Sequence, residues 1–176
     1  ISTCIFPDMM TRILILASLF LTSCLMTEKG FSQQFHTTSS KALKAYKSGL
    51  TSFDYIDYPN AERFFNEAIE TDKVFYEAYM MLGELYSKQK RYPEAAYNYK
   101  RAVSIDSTFY MPVFFNMATA EMMSGDYENA LIHYNVYIVQ KDISPKNRDL
   151  AERNIKNCLF AIEAVKNPVP FNPESL

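Results

Sequence analysis

Apolar residues in this chain recur at helical spacings in paired runs, and the pairs themselves recur. Tyr79, Leu82, Gly83 and Tyr86 form one run, and Tyr92, Ala95, Tyr99 and Ala102, followed by Asp106, form the next. Steps of three and four residues place side chains on one face of an α-helix. The stretch therefore predicts two helices joined by a short polar turn. The pattern returns upstream and downstream. Asp57-Tyr58-Pro59-Asn60-Ala61 matches Arg91-Tyr92-Pro93-Glu94-Ala95 and then Asp126-Tyr127-Glu128-Asn129-Ala130, with Ala61 and Ala95 34 positions apart and Ala95 and Ala130 35 apart. A fixed period between about 20 and 50 residues marks an array in which each unit buries its apolar face only against its neighbours. Single units are not expected to fold alone.

Local signals agree with helix pairs. Pro59 and Pro93 fall where a second helix begins, and a first-turn proline loses no helical hydrogen bond there. Gly125-Asp126 suits a helix stop followed by an N-cap. Helix axes approach to about 8 to 10 Å only where side chains are small, so Gly83 and Ala95 are expected at the crossing with aromatic residues around them. After the third unit Pro145 interrupts. Ala151, Ile155, Cys158, Ile162 and Val165 then recur at spacings of three and four on a last helix, which predicts a cap for the exposed end of the array.

These residues resemble the tetratricopeptide repeat (TPR), a family of helix pairs of about 34 residues. The first-helix small positions read Gly49, Gly83 and Ala118, and the second-helix ones Ala61, Ala95 and Ala130. Large residues follow at Phe65, Tyr99 and Tyr134, and a further position reads Ala68, Ala102 and Tyr137. Departures include Ala45 where Tyr79 and Phe114 keep an aromatic, and Lys73 and Ser107 where a proline often closes a repeat. The resemblance implies an all-α, right-handed superhelix. Its three helix-turn-helix repeats lie within residues 41–144, at about 42–75, 76–110 and 111–144, and a capping helix at 145–166 follows.

The amino end carries an address. Arg12 precedes the apolar run Ile13–Leu21 and then Thr22-Ser23-Cys24. A cation, a short apolar run and small residues describe a secretory signal peptide, too short to span a bilayer as a helix of about 20 residues. Leu21-Thr22-Ser23-Cys24 resembles a bacterial lipobox, which implies diacylglycerol transfer to the Cys24 sulfur, cleavage before it and membrane anchoring. Residues 1–23 are then signal, of which 1–8 are read as a gene-model extension or alternative start, because Met9 or Met10 would begin a signal of ordinary length. Residues 24–40, with no periodicity, read as the lipidated amino terminus and a flexible tether. Cys158 would be the one other cysteine of the mature chain, which excludes an internal disulfide there.

At the other end, residues 167–176 read as a proline-rich extended tail or truncated linker. Asn167-Pro168-Val169-Pro170-Phe171-Asn172-Pro173 resembles the junction in bacterial outer-membrane lipoproteins that run from TPR to β-propeller to an OmpA-like peptidoglycan-binding domain. That resemblance implies a truncated product or a fragment of such a protein.

Composition narrows the function. The formal charge is −2 with no basic stripe, which disfavours nucleic-acid partners. With 4 Gly and 8 Pro in 176 residues, the chain is too poor in turn formers for a many-stranded sheet. The only histidines, His36 and His133, have no metal-ligand spacing to a cysteine or carboxylate. No phosphate loop, nucleophile elbow or catalytic carboxylate pair is present. We therefore expect no enzyme activity, catalytic residue, metal or cofactor. Glu62, Glu67 and Glu70, with Arg63 and Lys73, read as a solvated helix face.

A binding surface is the alternative. In the family the first helices line a concave groove, and the residues expected there are Leu43, Tyr46, Leu50, Met80, Met81, Glu84, Phe115, Asn116, Thr119 and Met122. Flexible thioethers suit adaptable contacts with a protein or peptide partner. The opposing reading is that several of these residues merely pack against the tether or the capping helix. Only Lys47 and Asn116 match the polar clamp by which chaperone-binding members hold a terminal carboxylate. The expectation is a lipid-anchored interaction scaffold on the periplasmic face of a bacterial outer membrane. The family resemblance implies an envelope complex, in outer-membrane assembly or type IX secretion and gliding. Two alternatives are a structural spacer for peptidoglycan-associated domains and a non-catalytic enzyme subunit.

Overall fold

The computed structural model describes residues 35–168, which form seven α-helices: α1 (Ser40–Asp54), α2 (Tyr58–Thr71), α3 (Tyr76–Lys88), α4 (Tyr92–Ile105), α5 (Val113–Ser124), α6 (Tyr127–Ile138) and α7 (Pro145–Lys166). The signal peptide, Cys24, most of the tether and residues 169–176 lie outside the described residues. Helices α1/α2, α3/α4 and α5/α6 form three hairpins, and contacts concentrate between helices adjacent in sequence, as a stacked array requires. Each hairpin spans one period of the pattern.

The turns show why the sequence stops and restarts where it does. Asp57 and Asp126 accept hydrogen bonds from the backbone N–H of Asn60 and Asn129, while Pro59 and Pro93 occupy the first turns of α2 and α4. At the matching position Arg91 has no capping bond and faces Glu94 and Glu62 instead. Gly125 ends α5 with φ +88°. Its equivalents in the first two hairpins are Ile56 and Lys90, held at φ +61° and +60° although neither is glycine. A left-handed conformation costs an L residue about 1 to 2 kcal/mol, and Ile56 is 70 % exposed, so little burial offsets the strain. Ile56→Gly is therefore expected to stabilise by up to about 1 kcal/mol, once the freer unfolded chain is subtracted. A urea midpoint that falls instead would mean the Ile56 side chain contributes more than its exposure suggests.

One core runs the length of the array. Phe65, Phe75, Tyr76, Leu82, Leu85, Met117 and Tyr134 are almost wholly buried, as are Ala61, Ala95 and Ala130. The crossing differs in detail from a small residue facing a small residue. A Cβ built on Gly83 would stand 2.6 Å from the Tyr99 ring, and one on Gly49 2.6 Å from the Phe65 ring. The glycines thus receive the second helix's aromatic ring, while the fully buried alanines let the backbones close.

Helix α7 caps the last hairpin through Ala151 and Cys158, both wholly buried, and Asn154 donates to the Tyr134 hydroxyl at 2.8 Å. Arg148 donates to the carbonyls of Ile138 and Gln140, satisfying the carboxyl end of α6. Of the expected stripe, Ile155 packs against the core, but Val165 is 70 % exposed. Among the described residues the helix outruns the hairpin it covers, and its last turn is exposed.

Candidate functional site

The period places the expected groove residues at equivalent positions of the three first helices. Tyr46, Met80 and Phe115 correspond, as do Lys47, Met81 and Asn116, and Leu50, Glu84 and Thr119. Leu43, Leu50, Met80, Met81, Phe115 and Met122 are half-buried against the core, and Glu84 and Asn116 are also half-buried. Leu43, with Lys44, Lys47 and Thr51, lines a depression of about 420 Å³ on α1. Two of the expected residues are engaged internally. Tyr46 is 7 % exposed, and burial, with Glu77 nearby, pushes its hydroxyl up to about 12. The Thr119 hydroxyl bonds the Phe115 carbonyl and lies 2.9 Å from the Tyr134 hydroxyl.

What covers Tyr46 is the end of the expected tether. Residues 35–39 pack against the repeats as a strap, contrary to the reading of 24–40 as flexible throughout. Phe35 packs its ring on Tyr46 and Phe75, with centroids 5.8 and 6.3 Å apart. His36 packs on Tyr76 and Phe109 at 5.0 and 4.6 Å. The Thr37 hydroxyl donates to Asp72 at 2.6 Å, and Ser39 caps α1 by accepting from the Ala42 N–H. Asp72 and Asp106 are equivalent positions in successive repeats, as are Phe75 and Phe109. Neighbouring strap residues therefore grip the same features of two repeats.

His36 is the polar centre of this contact. Its backbone N–H donates to both Glu77 carboxylate oxygens at 3.3 Å, its Nδ1 lies 3.0 Å from Glu77 and its Nε2 lies 3.5 Å from Asp106. Partial burial alone would lower the imidazole pKa, but hydrogen bonds and charge from Glu77 and then Asp106 outweigh it and raise the value above 6.5. The Asp106 carboxyl is held low by bonds from the Thr108 backbone and side chain, and then by His36. A raised imidazole pKa stabilises the folded state fully below about pH 6.5, and that contribution disappears as pH rises through the folded pKa. The melting temperature is accordingly expected to fall as pH rises above about 6.5, and Glu77→Gln to flatten that slope. An unchanged slope in the variant would exclude the His36–Glu77 pair as its source.

Long-range pairing also engages residues that sequence spacing left aside. Glu62, expected on a solvated face, accepts from the Tyr86 hydroxyl at 2.9 Å and from Arg91 at 3.1 Å, and the Arg91 guanidinium stacks over the Tyr86 ring. These contacts tie the first hairpin to the second. His133 lies 2.7 Å from the buried Glu121 carboxylate, joining α5 to α6. A second cleft of about 560 Å³, bordered by Ile69 of α2, Tyr79 and Leu82 of α3 and Tyr97 of α4, was not signalled by the sequence. Among the described residues no cluster of three His, Cys, Asp or Glu could hold a metal ion.

Residues 76–109 match the tetratricopeptide repeat family model, which covers α3 and α4. The fold is a tetratricopeptide-repeat superhelix. Solved structures agree over most of the described region. The first TPR of Spaghetti (RPAP3), bound to an HSP90 peptide, is 17 % identical with a TM-score of 0.61, and the match covers 73 % of this chain and 98 % of that one. The TPR2B domain of yeast Sti1 in its pHsp70 complex gives 24 % identity and a TM-score of 0.56, over 72 % and 99 %. The Yersinia enterocolitica type III secretion chaperone SycD, with a peptide of the translocator YopD, gives 18 % and 0.57, over 74 % and 98 %. No curated protein sequence matches the chain.

Proposed function

We propose that this TPR domain is a protein-interaction scaffold that takes an extended peptide segment along its first helices. The observation that carries the reading is that Met80 and Phe115, at equivalent positions of α3 and α5, are half-buried apolar residues, as are Met81 on α3, Leu43 on α1 and Met122 on α5. Half-buried thioethers and aromatics leave apolar surface that a partner can cover while keeping their own packing. Of the domains of similar fold named above, the first TPR of Spaghetti (RPAP3) holds an HSP90 peptide, SycD a YopD peptide, and the Sti1 domain is in complex with pHsp70, which supports the same use here.

The resemblance of Leu21-Thr22-Ser23-Cys24 to a lipobox extends the proposal to a lipid anchor on the periplasmic face of a bacterial outer membrane. The tail's resemblance to a propeller and OmpA-like junction extends it to an envelope complex for outer-membrane assembly or type IX secretion. One observation favours the spacer reading instead. Tyr46 and Thr119 are taken up by internal contacts, so the expected groove is interrupted in α1 and α5.

Cross-linking in cells, followed by capture of the full chain, separates the two readings. Specific partners are expected to be lost on Met80→Glu and Phe115→Glu while thermal stability is retained, and Cys24→Ser is expected to move the protein out of the membrane fraction. No partner at all would favour the spacer, and partners that survive both groove substitutions would refute the groove. A Cys24→Ser chain still labelled with lipid would refute the anchor.

A further inference from the structure

The outer face of α7 is not that of a simple cap. A terminal unit normally presents a polar outer surface, yet Leu159 is 51 % and Phe160 76 % exposed in the carboxyl half of this helix. Its buried side, Ala151 and Cys158, is turned into the last hairpin. At 3.6 residues per turn, Glu152, Lys156, Leu159, Phe160, Glu163 and Lys166 fall within about a third of the helix circumference. The four charged residues of this stripe are exposed. Along the axis the order is acid, base, two apolar residues, acid, base.

That order is complementary to itself when reversed. In an antiparallel pair with a two-fold axis beside Leu159 and Phe160, Glu152 meets Lys166 of the second copy and Lys156 meets Glu163 of the second copy. Leu159 then meets Phe160 across the axis. Parallel pairing would set each charge against its own kind, which costs free energy and leaves a single register. We propose that α7 is a self-association surface, through which two copies of this chain join antiparallel along the Glu152–Lys166 stripe. One helix face is a small interface, below the area of a standard stable complex, so the dimer is weak in solution. Isologous pairing about a two-fold axis also closes the assembly at two copies.

Sedimentation equilibrium of the full chain tests this against concentration. Reversible dimerisation is expected in the range of about 10 to 100 µM, as befits a small interface. Phe160→Glu is expected to weaken it at least tenfold without altering the far-ultraviolet circular dichroism, since the side chain is exposed. Lys156→Glu should weaken it as well, and Lys156→Glu with Glu163→Lys should restore it, because the exchanged charges again meet across the axis. A chain that stays monomeric up to about 200 µM overturns the proposal and leaves the face to another partner. Association that Phe160→Glu leaves unchanged arises elsewhere, the apolar run Ile13–Leu21 included, and overturns it equally. So does a charge exchange that fails to restore pairing.

Discussion

Tyr99→Ala is expected to lower the unfolding free energy by about 3 to 5 kcal/mol, the range for removing a fully buried aromatic side chain. Tyr99 is 2 % exposed, and its ring lies directly against the backbone of α3 at Gly83. The neighbours cannot collapse into the space, because Gly83 has no side chain to move and Ala95 and Ala102 are already wholly buried. The position in the array sharpens the effect. Stability in a solenoid is close to a sum of unit terms and interfaces between neighbours, and Tyr99 belongs to the central hairpin. Weakening that hairpin uncouples the outer two, so the urea transition should broaden or split as well as shift. For a domain of this size the melting temperature should drop by roughly 10 to 20 °C. Tyr97→Ala is the control: on the same helix but 63 % exposed, it should change stability by no more than about 0.5 kcal/mol. A loss at Tyr99 no larger than at Tyr97 would mean that the ring does not join the two helices.

The contrast between Tyr97 and Tyr99 was legible in the chain, because the repeat period assigns one residue to the core stripe and leaves the other off it. The same holds for the helix starts at Asp57 and Asp126, the stop at Gly125 and the buried side of α7. All are local, set by spacing along one helix and by the conformational preferences of Pro, Gly and Asp.

What the sequence concealed depends on residues far apart in the chain. His36 meets carboxylates 41 and 70 positions away, and Arg91 meets Glu62 across 29. No helical or turn period connects such pairs. They become neighbours only because stacking brings the ends of successive hairpins together. The docked strap was legible only as the alternative that groove residues pack against the tether: Phe35, His36 and Thr37 have no periodicity of their own, and their partners are spread over two repeats. Within the expected groove, the period sets Tyr46 at the position equivalent to Met80 and Phe115, but Tyr46 is covered by a strap that lay outside the pattern. The left-handed residues at Ile56 and Lys90 were hidden differently, since nothing in their type favours that conformation. Only comparison with Gly125 one or two repeats on reveals what the turn demands.

Gly83→Leu is expected to cost about 3 kcal/mol, at the upper end for overpacking, although the substitution puts a good helix former in the interior of α3. In an exposed helix, replacing glycine would gain close to 1 kcal/mol. Here even the first added carbon would stand 2.6 Å from the Tyr99 ring, closer than any tolerated carbon contact, and the remaining atoms must displace the ring or part the helices. Sterics therefore outweigh propensity. Gly83→Ala should fall on the same side with a smaller net loss, because one methyl is partly repaid by its helical preference. The decisive measurement is a double-mutant cycle with Tyr99→Leu, which trims the opposing ring. If ring and glycine are mutually fitted, Gly83→Ala should be less harmful in the Tyr99→Leu background than in the parent by at least about 1 kcal/mol, a coupling well above the error for independent sites. Strictly additive losses would place the strain of the alanine elsewhere in α3, and Gly83 would then be a flexible point rather than a seat for the aromatic.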